Sequence, residues 1–235
     1  MYEDHHTMTR LLGLTLAATV GLSLTTAAAA APLRIRGTVV AISSSAVIVH
    51  TANGDVSASI KGDTAFVTVA PSDLNHVETG GYVGVASKKA GDKLVALSVI
   101  VFPPSMKGAA EGHAEYDVLP DTTFSGDART ASSMTNANVK AISTRQSAPR
   151  VNSTMTNGNV AAAAANGGVK LLTVTYKGGE QNILVPPTAP IVAFVPGAAS
   201  IVKPGAAVFV NADKTNGKTT AGLVAVGSHG LTPPF

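Results

Sequence analysis

The chain has 235 residues, of which 45% are hydrophobic and only 13% charged, with a net charge of +3, no Cys and no Trp. That composition can build folded cores but carries no dense basic run, which disfavours a nucleic-acid-binding surface, and the lack of Cys excludes disulfide staples and a lipid anchor on Cys. With few aromatics, Val, Ile, Leu and Ala must fill the interior, in one or two domains.

The first 30 residues read as a secretory signal peptide. Arg10 precedes an uncharged run, LLGLTLAATVGLSL (Leu11 to Leu24), and the small residues TTAAAAA (Thr25 to Ala31) follow. A positive end, a short apolar stretch and a small-residue exit are what export machinery cleaves, here near Ala29 or Ala30, ahead of Pro32. The acidic MYEDHH start fits this poorly, so Met8 is an alternative initiator. The run is short for a membrane span, and no later one reaches its length. The mature chain is expected to be periplasmic or secreted, with no transmembrane segment.

Short β-branched segments come next. RIRGTVVAI (Arg34 to Ile42), AVIVHT (Ala46 to Thr51), DVSASI (Asp55 to Ile60), AFVTV (Ala65 to Val69), YVGVASK (Tyr82 to Lys88) and KLVALSVIVF (Lys93 to Phe102) are predicted strands, punctuated by Ser, Asn and Gly. Asn53-Gly54 marks a tight hairpin, and PSDLNHVETGG (Pro71 to Gly81) one helical turn with Ser72 or Asp73 as its cap.

Residues 105–155 differ in composition and read as a Ser/Thr/Asn-rich connector, partly disordered. Near their start lies EGHAEYD (Glu111 to Asp117), where Glu111, His113, Glu115 and Asp117 alternate. In an extended segment alternate residues share a face, so these four are the candidate ligands for a divalent metal, or for copper with Met106 assisting. The competing reading is a solvated acidic linker. MTNANV (Met134 to Val139) recurs as MTNGNV (Met155 to Val160), and either copy could supply the next strand.

GNVAAAAA (Gly158 to Ala165), VKLLTVTY (Val169 to Tyr176), QNILV (Gln181 to Val185), PIVAFV (Pro190 to Val195), AAVFVNA (Ala206 to Ala212) and TTAGLVAVG (Thr219 to Gly227) complete the predicted strands. They repeat the first set at a spacing of 125. Asn53-Gly54 falls on Gly178-Gly179, Pro71 on Pro196, Val83 and Val85 on Val208 and Val210, and Val99 and Val101 on Val224 and Val226. Turns match turns and apolar positions match apolar ones, as two copies of one unit require. The expected fold is therefore all-β, with two tandem small OB-like or SH3-like β-barrels of five to six strands each, at 32–104 and 156–235. A flattened sandwich is the competing architecture.

RGTVVAI (Arg36 to Ile42), LNHVETGGYVGV (Leu74 to Val85), PPSMKGAAEGH (Pro103 to His113), MTNGNV, LTVTYKGGEQ (Leu172 to Gln181), IVKPGAAVFV (Ile201 to Val210) and VGSHGLTPPF (Val226 to Phe235) occur in an order that resembles an exported bacterial family of tandem OB-like domains of unknown function. The resemblance spans nearly all of the mature chain. It implies an exported two-barrel protein and brings no active-site pattern.

No nucleophile elbow is present, and His50, His76 and His229 lack companions with metal-ligand spacing. Stacking aromatics for single-stranded nucleic acid are absent where an OB-like barrel would offer them. The sequence thus points to a non-enzymatic exported binding or scaffold protein of the bacterial envelope, without a cofactor, its partner an unidentified envelope protein or glycan. A periplasmic metal-binding protein using Glu111 to Asp117 is the alternative.

Overall fold

A computed structural model of the chain describes Met1 and residues 32–123, 127–144 and 168–235. Residues Ala31–Phe235 form one compact unit. The expected signal peptide lies outside the described residues, as does the predicted strand at Gly158 to Ala165. Among the described residues no helix is long and apolar enough to cross a membrane.

The fold is all-β. Six strands precede the former connector: β1 (Leu33–Ile42), β2 (Ala46–Thr51), β3 (Gly54–Ser59), β4 (Ala65–Pro71), β5 (Tyr82–Ala90) and β6 (Lys93–Phe102). Two follow in the connector itself, β7 (Gly112–Pro120) and β8 (Arg129–Thr144). The last five are β9 (Lys170–Tyr176), β10 (Gly179–Val185), β11 (Ile191–Gly197), β12 (Ala207–Thr215) and β13 (Lys218–Gly227). The helical turn predicted after β4 is a 3-10 turn, Leu74–His76, capped by Asp73, whose carboxylate accepts from the Asn75 N–H at 2.7 Å.

Strand pairing does not follow the division into 32–104 and 156–235. The strands β3, β2, β1, β12 and β13 close a five-stranded barrel, sealed by a parallel contact between β13 and β3 at Thr220 and Ser59. The strands β6, β5, β8, β9 and β10 close a second circuit, sealed by β10 running parallel to β6. Each circuit therefore takes strands from both halves of the chain. Each has its own aliphatic core. Val39, Val47, Val49, Val208, Val210 and Val224 fill the first, while Val83, Val85, Val99, Leu172, Val174 and Ile183 fill the second.

The repeat survives as a pseudo-twofold. Antiparallel β4 and β11 pair Val69 with Phe194, which are 125 residues apart, so the axis passes between them. On one side Val99 of β6 lies beside Ile191 of β11, and on the other Val224 of β13 lies beside Phe66 of β4. Even the irregularities repeat: the bulge at Ala86/Ser87 in β5 recurs at Asn211/Ala212 in β12.

The repeat counterpart of β1 is β8, at a spacing of 100 rather than 125. Val83 pairs with Ala137 where Val208 pairs with Gly37, and the bulge at Val39/Ala41 recurs at Val139/Ala141. The copy MTNANV thus enters the strand, and MTNGNV lies outside the described residues. Much of the expected connector, Gly112–Pro120 and Arg129–Thr144, is therefore strand. Thr135, Ala137 and Val139 alternate inward and are buried, so a segment rich in small polar residues is a strand held by β5, β7 and β9. Small residues on a strand pack well against neighbours on both faces, which composition does not register.

A candidate ligand cavity on the aromatic face

Between the two circuits runs a curved face of eight strands in the order β8, β5, β6, β11, β4, β13, β12, β1. Strand alternation builds it. Where Val83 and Val85 of β5 point into the second core, Gly84 faces the other way. Where Val208 and Val210 of β12 enter the first core, Phe209 and Asn211 take the opposite face, as Gly84 does. Val67, Val69, Ile100, Val192, Phe194, Phe209, Ala225 and Phe235 form a third core on this face.

The aromatic residues are concentrated here. Tyr82, Phe102, Phe194, Phe235 and Phe209 make a row of edge-to-face rings, with successive centroids 5.4, 5.1, 5.6 and 5.1 Å apart. Four of the six Phe of the chain stand in that row, although both circuits have aliphatic cores. The row breaks the twofold. Phe209 stands where its counterpart is Gly84, and Phe102 where its counterpart is Gly227. A Cβ at Gly84 would come within 2.9 Å of the Phe102 ring and 2.6 Å of Asn136 Oδ1, so glycine is what lets Phe102 lie against β5. Burial leaves the Tyr82 phenol pushed up to about 12, with the Glu111 carboxylate adding to the shift; its hydroxyl donates to the Ala109 carbonyl at 3.0 Å.

Among the described residues strand β7 has no counterpart under the twofold. It pairs with β8, and a bulge between Glu115 and Val118 carries it toward the far end of the face. There Tyr116 lies under the Arg34 guanidinium, with 4.1 Å from Cζ to the ring centroid. Desolvation raises the Tyr116 pKa, against the opposing pull of Arg36 and Arg34. Asp117 Oδ2 accepts from Arg36 Nη1 at 2.6 Å, and Arg36 Nε donates to the main-chain oxygen of Phe235 at 2.7 Å. These contacts tie β8, through β7, to β1 at the opposite end of the face.

Under this bridge lies a cavity of about 600 Å³. Its floor is apolar, with Ile100, Phe102, Phe194, Phe209, Leu223 and Phe235, and Met106 and Met134 at its side. Its polar lining consists of Arg34 and Asn211 on one wall and Glu111, His113, Glu115 and Asn136 on the other. The space exists partly because Gly222 of β13 stands where its repeat counterpart is Leu97. Leu97 is covered by Leu119 of β7, together with Ala86, in a small satellite core.

The four expected metal ligands are placed along or next to β7 but do not converge. Glu111 Oε1 accepts from the Lys177 N–H at 2.9 Å, His113 Nδ1 bonds Thr135 Oγ1 at 2.8 Å, and Asp117 is held by Arg36. His113 also stacks on Tyr176, with centroids 6.3 Å apart. Glu115 is an exposed residue of the cavity lining. Alternation alone would align them; the bulge after Glu115 and the arginines of β1 redirect the last one. Among the described residues no group of three or more His, Asp or Glu is placed to hold a metal ion. His50 and His76 each bond a neighbouring carboxylate, of Asp55 at 2.6 Å and Asp73 at 3.1 Å.

Sequence reasoning missed the cavity because its lining comes from nine separated segments and from the tail. One signal was available. Phe102, Phe209, Asn211 and Gly222 are positions where the two repeats disagree, and departures from an internal repeat mark what symmetry does not need. No protein-family profile, curated protein or solved structure matches the chain.

Proposed function

We propose that the protein is a non-enzymatic exported binding protein of the bacterial envelope, and that its ligand site is the cavity on the aromatic face. The cavity itself carries this reading. About 600 Å³ of space with an aromatic floor and a few polar groups at the walls is the usual make-up of a small-molecule site. The paired barrels are the rigid frame, and the OB-like descent of each is part of the same proposal. Edge-to-face rings hold the floor in one arrangement, so an apolar ligand would meet a preformed surface.

The test is titration with the neutral dye Nile red, followed by fluorescence, for wild type and Gly222→Leu. A Cβ at Gly222 meets only the Asn211 carbonyl, at 3.7 Å, so the substitution fits the backbone while filling the cavity. Saturable dye binding that weakens about tenfold or more in the variant is expected, about 1.4 kcal/mol or more. Absence of saturable binding, or equal binding by both proteins, refutes the assignment.

A further inference from the structure

We propose that the ligand is a lipophilic carboxylic acid, its carboxylate held by Arg34 beside Asn211 and its hydrocarbon body lying on the Phe194 and Phe209 floor. This rests on the cavity being the ligand site. Arg34 and Asn211 are direct cross-strand partners on β1 and β12, and both line the cavity. Stacking on Tyr116 fixes the guanidinium plane, and Nη1 reaches the Tyr116 carbonyl only at 3.4 Å. Among the described residues no carboxylate forms an ion pair with Arg34. A half-buried guanidinium at an apolar wall keeps most of its donor fork unused, and that fork matches a carboxylate in two-point geometry.

Arg36, two residues along on the same face, shows oxygen acceptors seated on the same kind of fork, with its buried Nη2 alone lacking one. It holds Asp117 on Nη1 and the Phe235 main-chain oxygen on Nε, while the Phe235 ring sits in the aromatic row. An oxygen on arginine with an apolar ring on the floor is thus already one occupant of this wall. Arg34 faces the part of the cavity that is still open. The opposite wall is lined by the acidic residues Glu111 and Glu115 and by His113, and holds the buried Asn136 Oδ1, an acceptor with no donor. An anionic head is repelled there, which leaves Arg34 as its seat.

The experiment is displacement of bound Nile red by decanoic acid, decan-1-ol and decylamine at about pH 7.5, where the acid is ionised. The acid is expected to displace dye at about tenfold lower concentration than the alcohol, since a hydrogen-bonded charge pair contributes at least that much. In Arg34→Gln the acid should fall to the level of the alcohol while dye binding persists, and Arg34→Lys should keep part of the preference through charge alone. A wild type that takes the alcohol or amine as well as the acid, or displacement by none of the three, overturns the proposal. So does a preference that Arg34→Gln leaves intact. Failure of Nile red to bind wild type overturns the cavity reading instead.

Discussion

Because each circuit draws strands from both halves, the repeats should be unable to fold apart. Consider residues 32–104 expressed alone. They carry β1, β2 and β3 of the barrel but lack β12 and β13. Seven of the twelve buried residues in that core then disappear: Val202, Val208, Val210, Ala212, Ala221, Val224 and Val226. The five valines alone, at about 1.5 kcal/mol each, represent about 7 kcal/mol of lost burial. That is comparable with the whole net stability of an ordinary domain, about 5–15 kcal/mol. The edge of β1 from Leu33 to Thr38 also loses its partner in β12, leaving a row of unpaired donors and acceptors. Far-UV circular dichroism and an amide NMR spectrum should therefore show the fragment unfolded. Mixing it with residues 105–235 should restore strand signal and a cooperative urea transition. A dispersed spectrum and cooperative unfolding from 32–104 alone would refute the interleaved pairing.

Phe235→Ala should cost about 3 kcal/mol, the low end for a buried phenyl because the cavity beside it is already open, and lower Tm by about 6–12 °C in calorimetry; a shift under about 2 °C would show that the ring does not hold the tail. Two glycines should respond oppositely. A Cβ at Gly37 would overlap the main-chain oxygen of His50, so Gly37→Ala should cost about 2 kcal/mol or more, whereas Gly222→Ala should be neutral or stabilising by up to about 1 kcal/mol. Urea titrations of both variants check this, and equal midpoints would count against this close approach of β1 to the His50 main chain. Finally, burial pushes the Asp121 carboxyl up, but hydrogen bonds from Lys88 Nζ at 2.7 Å and Thr123 Oγ1 at 2.6 Å outweigh it and hold the pKa below the ordinary value. A depressed folded pKa adds stability above the unfolded value of about 3.9, and that stability is lost as pH falls through the folded one. Wild-type stability should therefore fall more steeply than that of Asp121→Asn below about pH 4, and parallel curves would refute the coupling.

Alternation of apolar and polar residues, Gly at turns and the spacing of 125 together determined the strands, the hairpins and the existence of two copies. These are local properties, written in which face each side chain takes. The first strand of the second copy was also legible, since Gly37 to Ser44 and Ala137 to Thr144 share Val, Ala, Ile and Ser at matched positions. Strand partnership was decided only in three dimensions. Period-two patterning says that Val83 and Val208 face a core, but an unpaired edge bonds equally well to a strand of its own copy or of the other. Exchange let each circuit close while β4 and β11 joined them across the axis. The cavity followed from that exchange, because Arg34, Phe102, Phe194, Phe209 and Phe235 face one space only once both copies have crossed.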